Sequence, residues 1–321
     1  MTAPLSLAPL LYVPASRPGL QDILGGRKNL GICSLAVCLE DAVRPDDRCR
    51  AATDLCEVLH RIESTPPRAL LVRPADSDML SRLLNTAHLD HITAFVLPKA
   101  TAASIYHWIQ ILDGRFPLVP ILESRETLDA GGRRELAAVC AEHRESILRV
   151  RIGANDLFAQ LGGLRRPRGF TVYETPLGRI IDELIEVFCA HNLPLCGPVF
   201  DRLDDLETLR REVEQDIHRG IFCKTALNPT QVAAIWAAYR PSEEELDEAR
   251  LILHPDSPAV FGLNGSMHET ACHAEWARRL VVRDVLHREA EELLGSPVIQ
   301  ALPSSGSDEA CYPVHKASAV A

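Results

Sequence analysis

Residues 36–43 read AVCLEDAV, an apolar run shaped like a buried strand that ends in two adjacent carboxylates, Glu40 and Asp41. Charge placed against a core is costly unless it is paired or bound to a cation, so the pair asks for a use. Similar runs recur along the chain. LLYVPAS (10–16), SLAVCLEDAV (34–43), ALLVRP (69–74), AFVLPK (94–99), PLVPILES (117–124), LRVRIGAND (148–156), PLCGPVF (194–200) and GIFCKTAL (220–227) make eight. Their hydrophobicity is continuous rather than alternating, as parallel strands covered on both faces require.

Between the runs lie amphipathic stretches with apolar residues at helical spacing, such as DRCRAATDLCEVLHRI (47–62), PLGRIIDELIEVFCAHN (176–192) and DLETLRREVEQDIHRG (205–220). Strand and helix in alternation give right-handed βαβ units. Eight such units over about 230 residues predict an α/β fold, a TIM (β/α)8 barrel. The competing open, doubly wound sheet lacks its marker, a GxGxxG turn after the first strand. After residue 240 the pattern changes. PSEEELDEARLIL predicts a helix with Ser242 as N-cap and acids in its first turn. HPDSPAVFGLNGS (254–266) reads as a linker, and a helical segment follows from about Met267 to Leu294. The expected division is a barrel over 1–245, a helical lid extension over 246–295 and a loosely held tail over 296–321.

The totals narrow the partners. A formal net charge of −10 over 321 residues disfavours nucleic acid and anionic membrane surfaces, which need basic patches. No stretch is apolar for long enough to span a bilayer. MTAPLSLAPLLYVP at the start lacks the basic n-region of a signal peptide. The ten cysteines form no CxxC pair and fall mostly in apolar runs, as at Cys38, Cys140, Cys189 and Cys223. Reduced, buried thiols in a cytoplasmic protein are the expectation.

In a TIM barrel the active site forms where the strands end. Reading off the end of each run gives Ser16 and Arg17, Glu40 and Asp41, Arg73, Lys99, Glu123, Asp156, Asp201 and Lys224. Any one of these carboxylates could cap the next helix; their joint occurrence on one rim points to a site. Four carboxylates on different strands, Glu40, Asp41, Glu123 and Asp156, suit a divalent cation. An all-oxygen set favours Mg²⁺ over Zn²⁺, with two direct protein ligands and the others holding water. HETACH (268–273) has one residue too many between its histidines for a zincin. RRPR (165–168) could attract an anion or be a charged surface loop. Ser16 and Ser124 have no histidine placed to activate them.

The motifs LYVPASRP, LEDAV, VRP, LPK, ILES, GANDL and GIFCKTALNPTQ, in that order, resemble the citrate lyase β-subunit family. That family is grouped with the HpcH/HpaI aldolases and includes malyl-CoA and citramalyl-CoA lyases. The similarity runs from about residue 10 to 290. It implies a Mg²⁺-dependent carbon–carbon lyase acting on a β-hydroxyacyl thioester, with a CoA or acyl-carrier portion, that releases a 2-oxoacid. It further implies a homo-oligomer, a trimer or a multiple. Glu123 and Asp156 would be the metal ligands, and Glu40 and Asp41 would hold metal-bound water. Arg73 would meet the thioester carbonyl, and Arg17 the CoA portion. Lys99 and the Gly153–Ala154–Asn155 stretch complete the expected substrate contacts. FGLNGSMHETACHAEWA (261–277) resembles a lid that closes over a neighbouring subunit's site, with Glu269 where the family carries a catalytic Asp. The chain departs from the family at Arg48 and Ala52, where a Lys and an Ala-Arg are usual. It departs again at Cys223-Lys224 and Leu227-Asn228-Pro229, where Gly-Lys and Ile-His-Pro are usual. Hydrolysis of an acyl-CoA by the same site, and a non-catalytic barrel subunit, are the alternatives.

Overall fold

All eight runs form strands of one parallel sheet. In the computed structural model, which describes residues 9–27, 32, 34–63 and 69–294, these are β1 (Leu10–Pro14), β2 (Ser34–Cys38), β3 (Ala69–Arg73) and β4 (Ala94–Leu97). Then come β5 (Leu118–Leu122), β6 (Val150–Ile152), β7 (Leu195–Cys196) and β8 (Thr225–Ala226). Neighbours in sequence are neighbours in the sheet, and β1 also pairs with β8. A parallel bridge between Gly197 and Lys224 joins β7 to β8 and closes the barrel.

Both faces of each strand are buried, which explains the unbroken apolar runs. Leu11, Val13, Leu35, Val37, Leu70 and Val72 face outward into the layer beneath the helices. Leu10, Tyr12, Ala36, Cys38, Ala69, Leu71, Val96, Val119 and Ile121 fill the interior. Continuing that alternation by two residues places Glu40, Arg73 and Glu123 inside the top of the barrel. The helices follow from local chemistry. Arg48–Arg61 buries Ala51, Ala52, Leu55 and Leu59 on one stripe. Pro176–Cys189 begins with Pro in its first turn, where a missing N–H costs nothing. Leu206–His218 is capped by Asp205, whose side chain accepts from Thr208 N.

The C-terminal region departs from the expected linker. Glu243–Leu253 is a helix capped by Ser242 as expected, and it spans the 245/246 division. The stretch read as a linker instead contains β9 (Val260–Leu263), which with β10 (Ser266–Glu269) forms an antiparallel hairpin. Asn264 and Gly265, both at positive φ, make its turn. The last helix, Thr270–Leu294, therefore starts three residues later than expected. It packs on Glu243–Leu253 through Leu246, Ala249, Ile252, Ala277 and Leu280. The expected tail, 296–321, lies outside the described residues.

Of the four cysteines used as examples of buried thiols, Cys38, Cys140 and Cys223 are buried but Cys189 is exposed, at the outer end of Pro176–Cys189. All described cysteines are free thiols. No helix among the described residues is long and apolar enough to cross a membrane.

Candidate active site

The strand ends bring Glu40, Asp41, Arg73, Lys99, Glu123 and Asp156 together on one rim. Glu40 and Asp41 occupy the bend after β2, where Asp41 N donates to Glu40 Oε2 at 2.7 Å. Arg73, at the end of β3, reaches three carboxylates with a single nitrogen. Its Nη2 lies 2.6 Å from Glu40 Oε2, 3.2 Å from Asp41 Oδ2 and 3.2 Å from Glu123 Oε1. Lys99 Nζ donates to Glu40 Oε1 at 2.6 Å and sits 3.3 Å from Asp41 Oδ1 and 3.9 Å from Asp156 Oδ1. The Lys99 backbone has a positive φ of 49°, a strained region for a residue with a side chain. That turn directs its N–H to Glu123 Oε1 at 2.9 Å.

Gly153 is required by close approach. A Cβ at this position would lie 2.1 Å from Glu123 Oε2 and 2.5 Å from Glu123 Cβ, so any larger residue displaces the carboxylate. Glycine here lets β6 press against the Glu123 side chain while the next turn, Ala154–Gln160, presents Asp156. Gln160 Nε2 donates back to Glu123 O at 2.6 Å and pins the same segment.

The electrostatics follow from burial. Glu123 is 3% exposed, and burial pushes its carboxyl up to about 7, against the pull of Arg73 and with help from Asp156. Burial likewise raises Glu40, reinforced by its hydrogen bond with Asp41. Burial also works against charge on Asp41, but the bond to Glu40 and the cations Arg73 and Lys99 outweigh it and lower its carboxyl. The rim thus holds more acid than its two cations settle, in a donor set made of oxygen alone. That is the chemistry of a hard divalent cation. Among the described residues no group of three or more His, Cys, Asp and Glu is placed to hold a metal ion by itself. Glu123 and Asp156 as a two-ligand pair fit Mg²⁺, which keeps several positions for water and substrate.

A cavity of about 430 Å³ opens beside this cluster. Asp41, Arg73, Glu123, Gly153, Ala154, Asn155 and Asp156 line its upper wall. Arg17, half-buried in the turn after β1, and Glu269, at the end of β10, are not among its lining residues. Two other rim assignments are corrected. Lys224 precedes β8, is fully buried beneath the Leu206–His218 helix, and pairs with Glu212 and Asp216 at 2.9 and 2.8 Å. Asp201 is engaged by Arg165 and Arg166 at 3.7 and 3.8 Å. Those ion pairs also account for much of RRPR, since Arg166 is buried against Glu212 and Arg168 pairs with Asp204. Ser124 Oγ donates to Ala100 O at 2.8 Å, a structural contact. His268, expected within the helical segment from Met267, is instead buried on β10 with its ring stacked on Phe261.

Comparison with known proteins adds identity to this geometry. The profile of the C–C bond lyases of the TIM-barrel fold matches residues 1–287. The chain belongs to that family. The lyase is also similar to a (3S)-malyl-CoA thioesterase of Cereibacter sphaeroides, 26% identical over 241 residues, covering 75% of this chain and 79% of the relative. A citrate lyase subunit beta-like protein of Deinococcus radiodurans is 27% identical over 284 residues, covering 82% of this chain and 93% of the relative. Among solved structures, Mycobacterium tuberculosis CitE in complex with magnesium, acetoacetate and coenzyme A superposes with a TM-score of 0.66. It is 24% identical, and the match covers 87% of this lyase and 98% of that chain. At that identity the likeness speaks for the fold. The resemblance read from the strand-end motifs is borne out, and so are the barrel and the carbon–carbon lyase class.

The sequence reading missed two interior arginines. Arg149 and Arg151 of the β6 run point into the barrel and are buried there. Their signal was present: in a strand with both faces covered, polar residues alternating with Val150 and Ile152 mark a polar interior, not a wet outer face.

Proposed function

We propose that this lyase cleaves the carbon–carbon bond of a β-hydroxyacyl thioester with Mg²⁺, releasing a 2-oxoacid. The observation that carries the reading is the juxtaposition of Glu123 and Asp156 with Arg73 at the wall of one cavity. The relatives support it. One acts on malyl-CoA, and CitE structures hold magnesium with acetoacetate and coenzyme A or with oxaloacetate.

Glu123 and Asp156 would hold Mg²⁺, with Glu40 and Asp41 placed for its waters. Mg²⁺ when bound supplies Lewis-acid polarisation of the oxoacid half. Arg73 is then the electrophile for the other half. Its Nη2 is committed to carboxylates, whereas its Nε is buried without a hydrogen-bond partner and remains to donate to the thioester oxygen. As the carbon–carbon bond breaks, its electron pair moves onto the thioester as an enolate, and a fixed guanidinium stabilises the charge where it develops. The hydroxyl proton passes to solvent through a water held by Glu40 and Asp41 as the new carbonyl forms, and the enolate carbon takes up a proton from an acid. Glu269, on a hairpin outside the cavity of its own chain, serves as that acid from a neighbouring subunit. This assignment makes the active enzyme a homo-oligomer, a trimer or a multiple. Arg17 would meet the CoA or carrier portion, and Lys99 and the 153–155 backbone would steady the substrate. Free thiols throughout the described chain agree with a cytoplasmic setting.

Hydrolysis of the thioester is the second reading, favoured by the malyl-CoA thioesterase relative. Product analysis separates the two. Incubating the protein with Mg²⁺ and malyl-, citramalyl- or citryl-CoA is expected to give a 2-oxoacid and a shortened acyl-CoA. Asp156→Ala is expected to give neither while keeping its circular dichroism. Free CoA with the intact hydroxyacid would instead establish hydrolysis, and equal cleavage by Asp156→Ala would refute the metal pair.

A further inference from the structure

The lower half of the cavity carries charge that the lyase chemistry above does not use. Arg151 stands opposite Ile121 in the β5–β6 register, one interior layer beneath the level of Glu123 and Gly153. It is 4% exposed and lines the same cavity, together with Tyr12 and Thr225. Thr225 Oγ1 accepts from Arg151 Nη2, and the guanidinium carbon sits 4.9 Å from the centroid of the Tyr12 ring. These contacts fix the plane of the fork. They leave Arg151 Nε and Nη1, and the Tyr12 hydroxyl, buried without hydrogen-bond partners. No carboxylate among the described residues forms an ion pair with Arg151. The thiols of Cys196 and Cys223 lie 3.7 and 2.6 Å from Arg149, deeper on the same strand.

A buried guanidinium with open donors is expensive for the fold and well shaped for a carboxylate, which it grips through parallel hydrogen bonds. We propose that Arg151, with Thr225 and Tyr12, forms an anion subsite on the cavity floor that holds the distal carboxylate of a dicarboxylic 2-oxoacid. The inference rests on the lyase reading, because Glu123 and Asp156 must hold the oxo end of the same molecule. The spacing suits it. Two residues of strand separate Arg151 from Gly153, roughly 6.6 Å of rise, on the order of the reach of a four- or five-carbon diacid. An acid that ends in a methyl leaves the buried donors unpaired, and sites built to hydrogen-bond discriminate strongly against such analogues. Arg151 would therefore set substrate class, and Arg73 the chemistry.

Calorimetric titration at saturating Mg²⁺ tests this with matched pairs: oxaloacetate against 2-oxobutyrate, and 2-oxoglutarate against 2-oxopentanoate. The parent protein is expected to bind one diacid at least about tenfold tighter than its matched monoacid. Arg151→Gln is expected to erase that preference and leave monoacid affinity within about twofold, and Arg151→Lys to restore part of it. Equal affinities in the parent overturn the proposal, whatever the variants do. So does a preference that survives Arg151→Gln, or a loss of both acids to the same degree. Monoacid binding that needs Mg²⁺ and Asp156 shows the lyase reading intact even if the subsite fails. If the parent binds no acid of either kind, both fall.

Discussion

Arg73→Met is expected to lower turnover of the thioester by about 10²–10³-fold, with KM changed far less. One nitrogen of Arg73 balances Glu40, Asp41 and Glu123, and the side chain is a buried cation on the wall of the cavity. On the proposed mechanism, removing it deletes the donor to the developing oxyanion, and it leaves the buried carboxylates of Glu40 and Glu123 without their shared cation. Glu40 and Glu123 already resist ionisation because they are buried, so in the variant they would keep protons that the metal has to displace. Higher Mg²⁺ should therefore be needed for the residual rate. Arg73→Lys keeps the charge but lacks the planar fork, and an intermediate loss is expected. Steady-state kinetics across a Mg²⁺ series provides the check. Turnover within about threefold of the parent in Arg73→Met would remove Arg73 from the chemistry.

Lys224→Met should be the most destabilising single change outside the site, by about 3–5 kcal/mol at neutral pH. Lys224 is fully buried, with Glu212 and Asp216 as its partners, both also fully buried. Arg166 Nη1 at 3.3 Å from Glu212 and the Tyr173 hydroxyl on Asp216 complete the network. Burial holds the Asp216 carboxyl up at about 6 even with Lys224 beside it. A carboxyl raised in the folded state binds more protons there than in the unfolded chain, so its effect on stability worsens as pH rises through that window. Without Lys224 the group rises further, and protonation becomes the remaining way to neutralise it. The loss should therefore be larger at pH 8 than at pH 5. Urea denaturation of parent and variant at both values tests this. A loss that does not change with pH would mean that Lys224 acts through packing and not through charge.

The barrel was legible because its strands are short, apolar on both faces and separated by helices with plain caps. Its rim was legible for a related reason: an acid or base that follows an unbroken apolar run interrupts the pattern at the place where a parallel barrel builds its site. Glu40, Asp41, Arg73, Lys99, Glu123 and Asp156 all came from that break. Other features arise only from the three-dimensional arrangement. GIFCKTAL reads as one eight-residue strand, but its paired segment is Thr225–Ala226. Lys224 therefore lies before the strand and turns outward under a helix, and no spacing rule says which side of a short strand a lysine takes. The hairpin at 260–269 had a signal in Asn264-Gly265, which the surrounding Pro and Ser residues masked. Gly153 is informative only in three dimensions, since its need arises from the Glu123 side chain on the neighbouring strand.

In the proposed mechanism Glu123 and Asp156 make a Mg²⁺ site that presents a 2-oxoacid to Arg73. Isothermal titration of the protein with a small 2-oxoacid, with and without Mg²⁺, and again on Asp156→Ala, tests it most directly. The expected result is binding that requires both Mg²⁺ and Asp156. Binding that is indifferent to the metal, or that is unchanged in Asp156→Ala, would contradict the account and leave the rim carboxylates with a structural role.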